Sequence, residues 1–347
     1  MDTHSIFTRC AIEGALFNLL PEIMTSEYPS ICRSHKTLQS RSAAEQNEWR
    51  RLLPRLALNP DSALNHRPTV WVASHTGPYR LILPFLIINH APILTIIDRR
   101  VAESQQSVFE NELDKFGALQ GINRSRYGFV DSADRTAVLQ LVRWLRRGGS
   151  VLIYMDGNIG IDGLPSSELI TVPFLSSQVY SRTGPARVAQ MGRAALSFIH
   201  AKRVDDSDVE RWPVRVSPIS DCGTADVTRD IPALWQELAA IVRAHPASWE
   251  SLRYAYRYIV RRAEPGPVTP GVLPDRLIFN SDRYVFVDEG TVPVIIDRLR
   301  MSQQTVGAGL ARLFGETRNG GYTNSDRIGM AMAKALMERQ ILIGASE

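Results

Sequence analysis

Three short runs carry the residue types and spacing best suited to chemistry. The first is VWVASHTGPYRL, residues 70–81, in which His75 follows a β-branched stretch and precedes an apolar helical pattern, with Thr76, Gly77 and Pro78 as the turn. A histidine at the carboxyl end of a strand stands where open α/β sheets collect ligands, and its near-neutral pKa suits it to general-base work. The second is LRRGGSVLIYMDGNIGIDG, residues 145–163, where Asp156 and Gly157 close an apolar strand and are expected at the same sheet edge as His75. The third is SRTGPARVAQMG, residues 181–192: Ser181 or Thr183 can cap a helix that begins near Gly184, and Arg182 adds charge where free helix N–H groups hold anions. Taken singly each run is weak. A lone histidine reads more readily as a buried side chain with two hydrogen bonds, and DG turns, capped helices and arginines are common.

The elements that must position these runs follow from periodicity. Strands are expected at Thr69–Ala73, Pro92–Ile97, Gly128–Val130, Ser150–Met155, Leu169–Phe174, Ala195–His200 and Val214–Pro218. Helices are expected at Tyr79–Asn89, Ser104–Phe116, Ala133–Arg147, Arg182–Met191, Ile231–His245 and Trp249–Arg262. Such alternation predicts an α/β fold, a mixed sheet covered by helices. Residues 1–66 read as a helical layer ahead of a 67–263 core, together a domain over 1–263. The Pro- and Gly-rich run EPGPVTPGVLP, residues 264–274, reads as a linker. Beyond it, residues 275–347 read as a small satellite of winged-helix size, with strands at Arg276–Phe279 and Tyr284–Val287 and helical patterns over Val292–Leu299, Ser302–Leu313 and Ser325–Arg339.

In this order and spacing the runs resemble the lysophospholipid acyltransferase superfamily, in particular its bacterial lipid A lauroyl/myristoyl acyltransferase branch. The resemblance covers about residues 70–260 and rests on His75, LRRGGSVLIYMDG, VPF, TGPARVAQMGRAA and HPASWESLRYAYR in combination. It implies a glycerolipid acyltransferase-like fold and transfer of an acyl group from an acyl carrier protein or coenzyme A thioester to a hydroxyl or amine. His75 takes the place of the base, Asp156 with Gly157 that of the acidic-glycine block, and Arg124 or Arg126 that of the arginine segment facing acceptor or donor phosphate. Trp249 fits a terminal tryptophan of structural role. One departure matters: the family has a carboxylate five positions into its histidine motif, and this chain has Arg80. A carboxylate fixes the imidazole tautomer, whereas a nearby guanidinium opposes the imidazolium. Three outcomes stay open. Asp156 or Asp98 orients His75 from another strand; a backbone carbonyl does so, with Arg80 clamping an anionic substrate; or transfer is lost and a binding domain remains.

Composition sets the outer bounds. The 347 residues are 44% hydrophobic and 22% charged, which excludes disorder and coiled coil, and the net charge is +4. Only Lys36, Lys115, Lys202 and Lys334 are lysines among 40 basic residues, so arginine dominates, a trait that favours anionic partners or reflects coding bias. Cys10, Cys32 and Cys222 lack ligand spacing, so no metal and no resident cofactor are expected, only an acyl-CoA or phosphopantetheine-bound co-substrate. The longest uncharged stretch, Leu81–Ile97, is 17 residues broken by two prolines, short of a span. A cytoplasmic protein is therefore expected, with peripheral membrane contact left open, no nucleic-acid partner, and a small-molecule or peptide acceptor such as a specialised metabolite rather than lipid A. A non-catalytic acyl-chain or carrier-protein binder and a thioester hydrolase are the competing readings.

Overall fold

Five-residue runs that are apolar and β-branched make the centre of the sheet because both of their faces are covered, which removes any need for alternation. In the computed structural model, which describes residues 3–64, 66–90, 92–98, 126–157, 169–204, 211–260, 273–288, 292–318 and 321–345, the central sheet has seven strands. They are β1 (Leu56–Leu58), β2 (Thr69–Ala73), β3 (Ile93–Ile97), β4 (Tyr127–Asp131), β5 (Ser150–Tyr154), β8 (Ala195–Ala201) and β9 (Trp212–Ser220), in the order β1-β9-β8-β2-β5-β3-β4. All neighbours run parallel except β8 and β9. From β2 the chain builds β3, β4 and β5 on one side, then crosses to β8 and β9 on the other. That reversal places a crevice at the carboxyl ends of β2 and β5.

Two elements flank the sheet for reasons visible in their residues. Helix α4 (Ile82–Asn89), ILPFLIIN, is buried almost all round. It packs with Trp49 and Leu52 of α3 (Trp49–Leu52) and with Trp71, Leu152 and Trp212 in one apolar cluster. Helix α5 (Ala137–Arg146) instead buries Ala137, Leu141, Val142 and Leu145 and exposes the opposite face, and Gly148 (φ 90°) ends it. Gly149 must be glycine because a Cβ there would lie 2.3 Å from the Trp144 indole nitrogen.

The mixed α/β fold with helices on the sheet is as expected, and three local differences have plain causes. Strand β6 (Leu169–Phe174) stays out of the central sheet and forms a hairpin with β7 (Ser177–Arg182), turning at Leu175 with φ 54°. Polar SQVYSR therefore reads as a strand, and α6 (Gly184–Gly192) starts two residues later than expected. The stretch after Trp249 is a 3₁₀ segment, Glu250–Arg257. The expected helix at Ser104–Phe116 and nearly all of the 264–274 linker lie outside the described residues.

The chain divides into two compact units, residues 33–251 and residues 1–32 with 252–347. This differs from boundaries at 263 and 275, because α1 (Thr3–Leu19) packs with C-terminal strands. Ile6 and Cys10 join Val285, Val287, Val294 and Ile296, and the buried Glu13 carboxylate pairs with Arg298 at 2.8 Å. Within this unit β11 (Tyr284–Val287), β12 (Val294–Asp297) and β13 (Ser302–Thr305) form an antiparallel sheet, and β10 (Leu277–Phe279) pairs with β14 (Leu342–Gly344). Helices α8 (Ala308–Thr317), α9 (Ser325–Ile328) and α10 (Met330–Glu338) complete it. The helical readings at Val292–Leu299 and the start of Ser302–Leu313 are replaced by strands, since the β-branched run VPVIID pairs with β11 instead of coiling. Among the described residues the remaining α-helices are α2 (Tyr28–Asn47) and α7 (Val227–Ala244). No helix among the described residues is long and apolar enough to cross a membrane.

Candidate active site

Strands β2 and β5 pair in parallel with Ala73 opposite Tyr154, and His75 and Asp156 each lie two residues further on. The register therefore carries the two side by side beyond the strand ends. The Asp156 carboxylate, fully buried, accepts from His75 Nδ1 at 2.8 Å and also from the His75 backbone N–H at 3.0 and 3.1 Å. Its Oδ2 accepts the Trp249 indole N–H at 2.8 Å, and the Asp156 carbonyl accepts the Ser251 hydroxyl at 3.0 Å. The carboxylate thus holds the backbone and the ring of His75 together, and the Nδ1–H tautomer leaves Nε2 as the basic nitrogen.

Electrostatics reinforce this pairing. Burial works against a charged imidazole, but the Asp156 charge and hydrogen bond, with Glu250 behind them, outweigh it and Arg80's opposition, so the His75 pKa is raised. Asp156 responds in the other sense: burial would raise its pKa, yet His75 and the Trp249 N–H hold it below the usual carboxylate range. The imidazole, 26% exposed, lies against Tyr79 and Tyr154 at ring distances of 4.8 and 4.9 Å. Tyr79 donates to Glu250 Oε2 at 2.8 Å, Tyr154 donates to the Tyr79 carbonyl at 2.9 Å, and burial pushes both phenols up, so they stay neutral donors.

The turn after His75 is built for close approach. Gly77 sits at φ 61°, and a Cβ there would meet the Ala201 carbonyl oxygen at 2.2 Å. Thr76 hydrogen-bonds Ser74 at 2.9 Å and His200 Nδ1 at 3.0 Å; burial with Lys202 and Arg215 nearby brings the His200 pKa down to about 4, so that ring stays neutral. A small cleft opens beside His75, Gly77, Tyr79 and Glu250, with His35, Gln39 and Ser42 of α2 and Arg203 on its other walls. Glu45 holds Arg203 through two contacts of 2.5 Å, which neutralises that cation.

The other sequence-derived site residues are dispersed. Arg126 stands at the amino end of β4, its guanidinium on the His90 carbonyl. That is the opposite end of the parallel strands from His75, a five-residue strand or roughly 16 Å along the strand direction, and β4 lies three strands from β2, so the expected meeting of Arg126 with the His75 crevice is corrected. Arg124 lies outside the described residues. Arg80 stacks over Tyr79 with its guanidinium carbon 5.0 Å from the ring centre, in reach of the cleft's charges. Gly157 follows Asp156, and a Cβ there would make only an ordinary contact with the Tyr154 carbonyl oxygen at 3.6 Å. Arg182 ends β7, and Thr183 occupies the N-cap of α6 at Gly184 without a side-chain capping bond. Ser181 is turned inward to accept the Trp235 indole at 2.7 Å, so the side-chain cap read from the sequence is absent. Asp98 follows β3, which lies beyond β5 from β2, and Asp156 holds the orienting position instead.

Residues 107–257 match the family described as bacterial lipid A biosynthesis acyltransferase. A phosphatidylinositol mannoside acyltransferase of Mycolicibacterium smegmatis is 25% identical over 194 residues. Over these stretches the chain is similar to lipid A-type acyltransferases. The relative is matched over 54% of this chain and 56% of its own length, so the chain spans little more than half of it. The Asp156 segment and Trp249 both fall inside the family match.

Two side chains at the centre, Trp249 and Glu250, were not legible as functional from sequence. Their signal is the isolated bridge that pairs Thr76 with Trp249, backed by the Glu250 N–H on the His75 carbonyl at 2.8 Å, a long-range contact that no local pattern encodes. Trp249 also packs on Phe174 at a ring distance of 5.4 Å. Trp249→Phe keeps that packing and deletes one donor from a buried carboxylate, which should lower unfolding stability by about 1–3 kcal/mol. Urea denaturation checks this; an unchanged midpoint would deny the bond energetic weight.

Proposed function

We propose that this chain transfers an acyl group from an acyl carrier protein or coenzyme A thioester to an acceptor hydroxyl or amine, with His75 as general base. The observation that carries the reading is the 2.8 Å Asp156–His75 contact at the open end of the cleft. In the reaction His75 Nε2 takes the acceptor proton, and the acceptor oxygen or nitrogen bonds to the thioester carbonyl carbon. The carbon–sulfur bond then breaks, and the thiolate leaves with the proton from the imidazolium. Asp156 stabilises the imidazolium between those two transfers. Arg80, stacked on Tyr79, is assigned to an anionic part of donor or acceptor, and Arg182, Thr183, Gly184 and Gly157 to the donor side. The relative's name, phosphatidylinositol mannoside acyltransferase, favours a hydroxyl on a lipid headgroup over a specialised metabolite as acceptor.

The test is to incubate the full chain with acyl-coenzyme A of graded chain length and with acyl-loaded carrier protein, with and without a lipid extract, following thiol release and analysing products by mass spectrometry. Acceptor-dependent thiol release with an acylated lipid is the expected result. Free fatty acid formed at the same rate without acceptor would make the protein a hydrolase, and thioester binding without thiol release would make it a binding module.

A further inference from the structure

We infer that the outer face of α5 and α6 docks on the surface of an anionic lipid bilayer. The two helices pack side by side, and the Arg146 guanidinium joins them by donating to the Met191 carbonyl at 3.0 Å. With Ala137, Leu141, Val142 and Leu145 turned to the sheet, helical geometry puts Leu139, Arg143 and Arg146 on one outward stripe, with Arg135 in the preceding turn. On α6, Arg187 points out and Arg193 follows its end, both exposed. Over residues 133–147 and 184–193 the chain has one acid, Asp134, and its carboxylate is taken by Thr136 and Gln140.

Elsewhere Arg9, Arg203, Arg229, Arg283 and Arg298 each sit on a carboxylate. On this face Arg135, Arg143, Arg146, Arg187 and Arg193 make no ion pair among the described residues, so their charge is unspent. Amid them three apolar side chains are exposed: Val138 at 44%, Leu139 at 50% and Met191 at 44%. Long arginine stems that reach phosphate level, around aliphatic side chains that enter the acyl boundary, are the arrangement a helix uses when it lies in a bilayer interface. A protein partner is less well served, because the aromatic of this face, Trp144, is turned in with its indole on the Pro92 carbonyl, leaving no outward aromatic anchor.

This docking does not depend on the proposed acyl transfer and is tested apart from it. The full chain is sedimented with phosphatidylcholine vesicles and with phosphatidylcholine–phosphatidylglycerol vesicles at low and high salt. Binding to the mixed vesicles alone, weakened by salt, is expected. Arg143→Glu with Arg187→Glu should reduce it by about tenfold or more, and Leu139→Ser by a smaller factor, with melting temperature unchanged. Equal binding to neutral vesicles, retention of binding in the charge-reversed variant, or no binding to either vesicle would overturn the inference. So would capture of unloaded acyl carrier protein through the same arginines by a chain that ignores vesicles.

Discussion

Replacing His75 by alanine should lower kcat for acyl transfer by about 10²–10⁴-fold, the weight of a positioned general base, while acyl-thioester affinity stays close to that of the parent chain. The reasoning starts from placement. His75 lines the cleft with Nδ1 committed to Asp156, so Nε2 is the nitrogen that can reach an acceptor proton. The other cleft groups are engaged: Glu250 accepts the Tyr79 phenol, Tyr79 itself is held neutral, and His35 has Nδ1 on the Ala247 carbonyl and Nε2 on the Gln39 amide. Single-turnover thiol release, run beside equilibrium binding of acyl-coenzyme A, separates chemistry from binding. Near-normal turnover in the alanine variant would remove His75 from the reaction.

Asp156→Asn should be as damaging or more so, at about 10³–10⁴-fold in kcat, for a reason specific to this carboxylate. It accepts from three N–H groups, the His75 backbone, His75 Nδ1 and the Trp249 indole. An asparagine offers one acceptor oxygen and turns its NH₂ toward one of those donors. If the NH₂ faces the ring, the tautomer inverts and Nε2 becomes the protonated nitrogen. The pH profile adds a second readout. A base works when deprotonated, so activity rises with pH through the His75 pKa, which Asp156 raises. Loss of the carboxylate charge lowers that pKa, and the acid limb of the profile should move to lower pH while the plateau falls. A lowered plateau with an unmoved limb would assign Asp156 a purely structural part. Circular dichroism of the variant guards against a folding defect, since Asp156 is fully buried.

Much of the positioning was legible before any coordinates. Apolar β-branched runs at Thr69–Ala73 and Ser150–Tyr154 read as interior strands, and both lead straight into a polar turn with His75 or Asp156 at its start. Gly148 and Gly149 marked the end of α5. Harder to read were the segments whose structure depends on a distant partner. β7 is polar and becomes a strand only because β6 folds back on it. β12 carries an apolar run that serves a helix or a strand equally until β11 and β13 pair with it. Arg126 was misplaced for a related reason: proximity in sequence to a strand does not say which end of the sheet it occupies.

What the sequence determined by itself is the inventory: a histidine and an aspartate closing two buried strands, an arginine where a family carboxylate is expected, and the residue combination that resembles an acyltransferase family. It left open what orients His75, because residues 75 and 156 are separated by 81 positions and nothing local couples them. Tertiary structure decided that. Parallel pairing of β2 with β5 in one register carries His75 and Asp156 to adjacent points beyond the strand ends, and the Thr76–Trp249 bridge brings the indole onto the same carboxylate. Register is a property of two strands packed in a shared core, and a slip of one residue would turn every side chain to the other face. The orienting carboxylate therefore comes from a neighbouring strand, and Arg80 is left stacked on Tyr79.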